Sequence, residues 1–283
     1  MKNPRVLLFA LLTGLLTMTA FAQKPQLLTR VITKTDRFDF GSGGTVAITG
    51  APVGSIQVTG WQKNEIEITA EIEIQASTES DLTKLAEVTT FVTEDSVGRT
   101  GIVSLGTHDK KLLKKAGKKL PKNLFGLPFK INYIINVPRY CDLEIDGGSG
   151  TLNIMGVEGA MRINFLESTA KIEVISGATT ATIGKGSLDI AIGTRGWRGR
   201  AATLDVGIGD LTVHLPTALS AEIDATVLRS GKIDNAFLDL KPRDRKILFT
   251  DKSIIAKAGV GGAPLRFSVG DGTIKLEKLV LPY

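Results

Sequence analysis

The chain has 283 residues, a formal net charge of +6, 31 glycines, one cysteine and only 6% aromatic residues. A single cysteine excludes an internal disulfide, so packing alone has to hold an exported fold together. Many glycines, frequent Thr, Ile and Val, and scarce 3.6-residue periodicity favour β-structure with many turns over helix.

The first 22 residues predict a signal peptide. Lys2 and Arg5 flank the start of an apolar run over 6–16, and residues 20–22, Ala-Phe-Ala, have the small–x–small pattern that signal peptidase cleaves. The run is short for a membrane-spanning helix, and a retained N-terminal anchor is the alternative. After Gln23 no stretch reaches the ~18 apolar residues of a membrane span. We therefore expect an exported protein, in the periplasm or at the cell surface of a bacterium.

Residues 23–105 predict an N-terminal β-module with one short helix. Its clearest strand covers 65–74, where glutamate and isoleucine alternate almost perfectly. A period of two places the isoleucines on one face and the glutamates in water. Residues 77–88 predict the helix, with Ser80 as its N-cap and with leucines at helical spacing on its apolar stripe.

Residues 106–130 form the most basic segment of the chain. Eight lysines and one acid, Asp109, give this segment a charge of +7, and apolar residues interleave with the lysines. Residues 110–120 could form a short basic amphipathic helix on an anionic membrane surface, and a solvated loop is the alternative. Nucleic acid is not expected as a partner of an exported protein. The candidate contact residues are Lys110, Lys111, Lys114, Lys115, Lys118, Lys119 and Lys122.

From residue 131 onward a short phrase recurs, in which a Gly-containing turn and a small polar residue precede an apolar–polar–apolar strand. Its apolar centres lie roughly 20 residues apart, and the last gap spans about two periods. These centres are Leu152, Ile172, Leu188, Leu211, Ile233 and Ile274. Such a period is one coil of a stacked β-solenoid. We therefore expect an all-β fold in which residues 131–283 form a right-handed β-solenoid. A flat meander or a sandwich is the competing fold.

A second candidate contact surface interrupts the repeats. Arg195, Trp197, Arg198 and Arg200 lie on a loop flanked by glycines. An exposed tryptophan beside arginines suits contact with a carbohydrate or an anionic polymer. The alternative is a tryptophan that folds back to cap a coil.

No cluster of residues predicts catalysis, a cofactor or a metal site. The two histidines, His108 and His214, lie far apart, and no metal-binding spacing occurs. Residues 147–151 lack the second glycine of a nucleophile elbow. Parallel β-helix lyases and hydrolases use acids on a strand face, and five aspartates could serve such a carbohydrate-active enzyme: Asp189, Asp205, Asp210, Asp224 and Asp234. Ordinary alternation on exposed strands also explains them.

Several phrases, in their order and spacing, resemble the bacterial exported β-strand-repeat proteins labelled putative adhesins, a domain of unknown function. They cover most of the chain after residue 23, at 54–61 with 65–68, 134–138 with 147–150, 196–199, 209–216 and 220–223. The resemblance implies an extracytoplasmic, β-solenoid-like fold with no established enzyme activity. The lysine-rich segment departs from what the family leads us to expect.

Together these features predict a non-enzymatic, exported cell-envelope protein that is adhesin-like or a surface-binding scaffold. The expected partners are an anionic membrane surface or an envelope polysaccharide. The runner-up hypothesis is the carbohydrate-active β-helix enzyme, and a purely structural envelope component is the third.

Overall fold

The computed structural model describes residues 27–193, 198–246 and 248–280. The predicted signal peptide, residues 1–22, lies outside the described residues, as do Arg195 and Trp197. Within the described ranges, no helix is long and apolar enough to cross a membrane.

The described chain is all-β, as predicted, and fifteen strands join into one large sheet. The strands are β1 (Leu28–Asp39), β2 (Thr45–Thr49), β3 (Ile56–Trp61), β4 (Glu65–Ala76), β5 (Thr90–Ser96), β6 (Arg99–Leu105), β7 (Phe129–Pro138), β8 (Asp142–Met155), β9 (Met161–Val174), β10 (Ser176–Ile192), β11 (Arg198–Leu215), β12 (Ala221–Asn235), β13 (Lys241–Pro242), β14 (Ser253–Ala258) and β15 (Ala263–Lys278). The helices are α1 (Glu79–Val88), α2 (Lys110–Lys115) and a 3-10 turn (Lys122–Leu124).

In the first part of the sheet, which we call the antiparallel part, β4 pairs antiparallel with β1 on one side and with β7 on the other, and β5 pairs antiparallel with β6. The short strand β2 pairs in parallel with β6 and with β8. The predicted alternation over 65–74 is confirmed in β4, where isoleucines such as Ile68 and Ile72 are fully buried and the glutamates point outward. Helix α1 packs on β4 and β1. Its Leu82 and Leu85 are fully buried against the sheet.

The N-cap of helix α1 lies two residues before the predicted one. Thr78, and not Ser80, has the extended backbone of an N-cap, and its Oγ1 accepts a hydrogen bond from the Asp81 amide at 3.1 Å. The prediction of Ser80 was wrong because both residues are suitable hydroxyls, and the point at which the backbone turns helical decides between them.

The long strands of the second part are bent at glycines. In β10, Ile183 and Leu188 are both buried although they lie an odd number of residues apart. In a straight strand an odd step would put them on opposite faces. Gly186, with φ of 124°, stands between them and turns the strand, so that both halves face one core.

These corner glycines stack on one another through their backbones. Gly209, with φ of 130°, lies on Gly186 so closely that a Cβ atom would sit 1.7 Å from the Gly186 carbonyl oxygen. The positive φ and the absence of a side chain are both required there, and only glycine supplies both. The recurring glycine phrase of the sequence therefore marks a stack of strand corners.

The strand order departs from that of a simple solenoid. Strands β8, β9, β10 and β11 are parallel neighbours in sequence order. The final strand, β15, then lies between β11 and β12, and β14 pairs antiparallel with β12. The sheet is not closed, and a solenoid over residues 131–283 is not shown. The repeat period reports where each strand bends, whereas hydrogen bonding between distant segments decides which strands are neighbours.

The antiparallel part and the glycine-cornered part share one sheet. Strand β3 joins them, because it pairs in parallel with β7 on one side and with β8 on the other. One continuous apolar core runs through both parts. The outward faces of six neighbouring strands, in the order β1, β4, β7, β3, β8 and β9, therefore form one surface across this junction.

Candidate functional site

The lysine segment, residues 106–130, is folded onto the antiparallel part. Asp109 caps α2, and its carboxylate accepts hydrogen bonds from the amides of Leu112 and Lys111 at 2.9 and 2.7 Å. These backbone donors hold the pKa of Asp109 below its usual value. Gly117, with φ of 68°, ends the helix in a left-handed turn. Helix α2 is therefore shorter than the span 110–120 that we expected.

The apolar side chains of the lysine segment are used for docking. Leu113 is fully buried in a small cluster with Val88 and Leu105, and Leu112 and Phe125 pack against it. An amphipathic helix that rests on a membrane needs its apolar face free to enter the headgroup region. Here the apolar face packs against the rest of the protein, so most of the lysines are exposed to solvent whereas the leucines are not free to enter a membrane.

The lysines of the segment remain at the surface. Lys115 forms an ion pair with Glu94, with 2.6 Å between Nζ and Oε1, and the half-buried Lys118 donates a hydrogen bond to the Glu87 carbonyl. Within the described residues, the other lysines of the candidate set are exposed and have no ion pair: Lys110, Lys111, Lys114, Lys119 and Lys122. The segment is thus a surface of largely uncompensated positive charge.

The structure describes little of the predicted arginine–tryptophan loop. Arg195 and Trp197 lie outside the described residues, and Arg198 contributes the first backbone position of β11. Arg200 is exposed and borders a depression of about 410 Å³ that also includes Asp142. Contact of this loop with a carbohydrate or an anionic polymer stays a prediction.

The five aspartates of the enzyme hypothesis are divided between the two halves of the bent strands. Asp205 stands opposite Thr182 and Ser268 in its neighbouring strands. Asp189 stands opposite Lys171 and Thr212. In the described register no two of the five occupy directly opposite positions. Burial raises the pKa of Asp205.

Sequence reasoning missed a groove at the junction of the two parts. This polar groove has a volume of about 610 Å³ and lies on the outward surface of β1, β4, β7, β3, β8 and β9. By residue type its lining is mainly hydroxyl and amide side chains, with one carboxylate and one ammonium group, although carbon atoms make up most of the accessible lining surface; it includes Glu71, Asn132, Gln57, Asn153, Thr169 and Lys171. The volume is within the range of small-molecule sites. A sequence signal exists, because the polar positions of the glycine phrases line this groove.

Comparison with known proteins finds similarity to solved structures only. No protein-family model matches the chain, and the curated proteins contain no significant match. A putative cell adhesion protein from Clostridium sporogenes is 12% identical, with a TM-score of 0.48, over 88% of this chain and 100% of that one. A putative adhesin from Bacteroides fragilis is 13% identical, with a TM-score of 0.38, over 87% and 97%. A putative lipid binding protein from Parabacteroides distasonis is 11% identical, with a TM-score of 0.23, over 88% of this chain and 97% of that one.

Proposed function

We propose that this protein is an exported, non-enzymatic component of the bacterial cell envelope that binds an anionic membrane surface through the lysine segment. The observation that carries the proposal is the fold of this segment. Its leucines are docked, as Leu113 shows, while most of its lysines are exposed without an acidic partner in the described residues. The predicted signal peptide supports export.

The proposed contact is electrostatic. A lysine close to an anionic bilayer contributes about 1 kcal/mol of attraction, and this attraction decays within a Debye length of about 8 Å at physiological salt. The docked leucines add no insertion energy, because they stay in contact with Val88 and Leu105. Binding through the lysine segment should therefore weaken steeply as salt is added.

We also propose that β8 to β11 wind as coils of a right-handed solenoid, which would make the repeat region a rigid support for the surface. Parallel neighbours normally need a connection of a dozen or more residues. Only Ile175 separates β9 from β10. A bent strand that returns the chain to its own starting edge accounts for such a short connection, and this supports the proposal.

The membrane proposal is tested by sedimentation with vesicles of phosphatidylglycerol and phosphatidylcholine. We expect the wild type to sediment with vesicles rich in phosphatidylglycerol at low salt and to be released at high salt. The test variant replaces four exposed lysines of the segment by glutamine: Lys110, Lys111, Lys114 and Lys119. We expect it to lose most of the binding.

A matched control removes the same charge from the far edge of the sheet. It replaces the exposed Lys241, Lys246, Lys252 and Lys257 by glutamine. We expect this control to bind like the wild type. Equal loss in both variants would show that net charge alone drives binding, and undiminished binding of the test variant would place the contact elsewhere. Either result overturns the proposal.

A further inference from the structure

We infer that the polar groove binds an acidic oligosaccharide, which is an extended chain of sugar hydroxyls that carries a carboxylate. The groove is a surface distinct from the lysine segment. The inference therefore holds or fails independently of membrane binding.

One wall of the groove offers free hydrogen-bonding groups. Gln57, Asn153 and Lys171 stand side by side on β3, β8 and β9, and Thr151 and Thr169 form the adjacent row. Among the described residues, none of these five side chains has a hydrogen-bond or ion-pair partner. Because neighbouring strands lie about 4.8 Å apart, the wall presents a regular array of amide and hydroxyl groups. Such an array matches a chain of hydroxyls.

The opposite wall is held in place by its own hydrogen bonds. The side-chain oxygen of Asn132, Oδ1, accepts hydrogen bonds from the backbone amide and the hydroxyl of Ser55 at 3.1 and 3.0 Å. The side-chain nitrogen of Asn132, Nδ2, donates a hydrogen bond to Glu71 Oε1 at 3.2 Å. This wall is preorganised, so that binding would not have to pay for ordering it.

The two charged groups of the groove lie at opposite ends. Glu71 is on β4 and Lys171 is on β9, four strand spacings away, which is roughly 19 Å. The register neighbour of Lys171 on its far side is Asp189, but the Asp189 carboxylate contacts His214 Nε2 at 2.9 Å. Among the described residues Lys171 forms no ion pair, so its ammonium is available to a carboxylate, and Glu71 repels one from the other end. This polarity selects an acidic ligand and orients it.

An apolar side chain lies in the middle of the groove. Ile134 is 50% exposed and stands between Thr69 and Gln57 in the register. Sugar rings combine hydroxyl edges with faces of C–H groups, and an exposed isoleucine among amides and hydroxyls suits both parts. An isoleucine in this position also disfavours a purely ionic ligand such as inorganic phosphate.

The position of the groove favours a sugar over a peptide. An added peptide strand binds through unpaired backbone groups at a sheet edge. The central strands of the groove, β7, β3 and β8, are paired on both sides, so recognition there falls to side chains. Glu71 is the one carboxylate in the lining, whereas glycoside hydrolysis takes a pair of acids. The geometry points to binding without hydrolysis.

The test uses a background in which the seven candidate lysines of the lysine segment are replaced by glutamine, so that this segment cannot capture acidic ligands. An array of uronate-bearing, sialic-acid-bearing and neutral oligosaccharides, together with acidic peptides, is screened first, followed by calorimetry with the best acidic glycan and its methyl ester. We expect acidic glycans to bind. Lys171→Gln should weaken their binding at least about tenfold, because it removes a charge-assisted hydrogen bond. The same substitution should leave the affinity for the methyl ester unchanged, because the ester carries no carboxylate.

Lys275→Gln is the matched control, because Lys275 lies on the same outward row as Lys171 but on β15, outside the groove. We expect it to bind acidic glycans with the affinity of the background protein. Three outcomes overturn the inference: no acidic glycan binds above background, Lys171→Gln and Lys275→Gln have equal effects, or acidic peptides bind in place of glycans. These outcomes can be interpreted even if the wild type does not bind vesicles, because the glycan experiment does not depend on the lysine segment.

Discussion

The antiparallel part of the sheet and the glycine-cornered part use the same alternation of apolar and polar residues, but different contacts order them. In the antiparallel part, β4 is a single run between β1 and β7, and α1 covers its buried isoleucines. In the glycine-cornered part, strands such as β10 bend, and the backbones of Gly186 and Gly209 touch at the corner. Side-chain packing orders the first part, and backbone contact also constrains the second.

The difference explains where the candidate sites lie. Stacked corners leave no room for a side chain at the glycines, whereas the outward polar side chains between them point away from these contacts. The polar groove uses those positions on β3, β8 and β9 and takes its other wall from β4 and β7. The lysine segment interrupts the sequence between β6 and β7 and docks on the antiparallel part. Both proposed sites therefore lie outside the stack of corners.

The largest effect on stability is expected at a corner glycine. Gly209→Ala places a Cβ atom 1.7 Å from the Gly186 carbonyl oxygen and forces alanine to a φ of 130°. We expect a loss of about 3 kcal/mol or more in the free energy of unfolding, measured by chemical denaturation. Gly101→Ala, in β6 of the antiparallel part, is the matched control, because its Cβ atom would lie 3.6 Å from the nearest atom. Equal stability of the two variants would contradict backbone control of the corners.

A smaller effect on stability is expected at the start of α1 in the antiparallel part, where a side-chain hydrogen bond caps the helix. Thr78→Ala removes the hydroxyl that accepts from the Asp81 amide, and we expect it to cost about 1 kcal/mol of unfolding free energy. Ser80→Ala removes an exposed hydroxyl inside the first turn and should change stability by less than about 0.5 kcal/mol. If Ser80→Ala proved the more destabilising change, the assignment of Thr78 as N-cap would be wrong.

The smallest effect on stability is expected at an exposed ion pair beside a corner glycine. Arg229 Nε donates to Asp271 Oδ2 at 2.9 Å, and Arg229 together with Ser230 lowers the pKa of Asp271 to about 2. A lowered carboxyl pKa contributes stability above the unfolded-state pKa near 3.9, and this contribution is lost as pH falls toward 2. Asp271→Asn should therefore lose less stability than the wild type on acidification over this range.

The Asp271 prediction is checked by NMR titration of the carboxyl and by denaturation at several pH values. Asp234→Asn, at an exposed position on β12, is the comparison. An Asp271 carboxyl that titrates near 3.9, or identical acid sensitivity of Asp271→Asn and the wild type, would contradict the ion pair.

Much of the local structure could be predicted from particular residues. The alternation in 65–74 specified a strand with one buried face, because a period of two has one structural solution at that length. The recurrent glycines specified turns, and the structure confirms them as corners at positions such as Gly186. The N-cap of α1 could not be decided, since Thr78 and Ser80 both carry a suitable hydroxyl within two residues.

The candidate sites were predictable in charge but not in shape. The lysine segment is visible as a run of lysines in the sequence, whereas the burial of Leu113 against Val88 and Leu105 depends on residues from α1 and β6. The polar groove depends even more on distant neighbours. Asn132 and Gln57 are far apart in the sequence and share a surface only because β7 pairs with β3.

By itself the sequence determined the all-β class, the inward and outward faces of the strands, the corner glycines and the basic segment. The tertiary structure decided the order of the strands, with β15 between β11 and β12, and the groove that this sheet supports at its other end. The physical reason is that alternation and glycine act within a few residues. Strand pairing, in contrast, is a choice among many similar edges, and only the hydrogen bonds and packing of the complete sheet distinguish them.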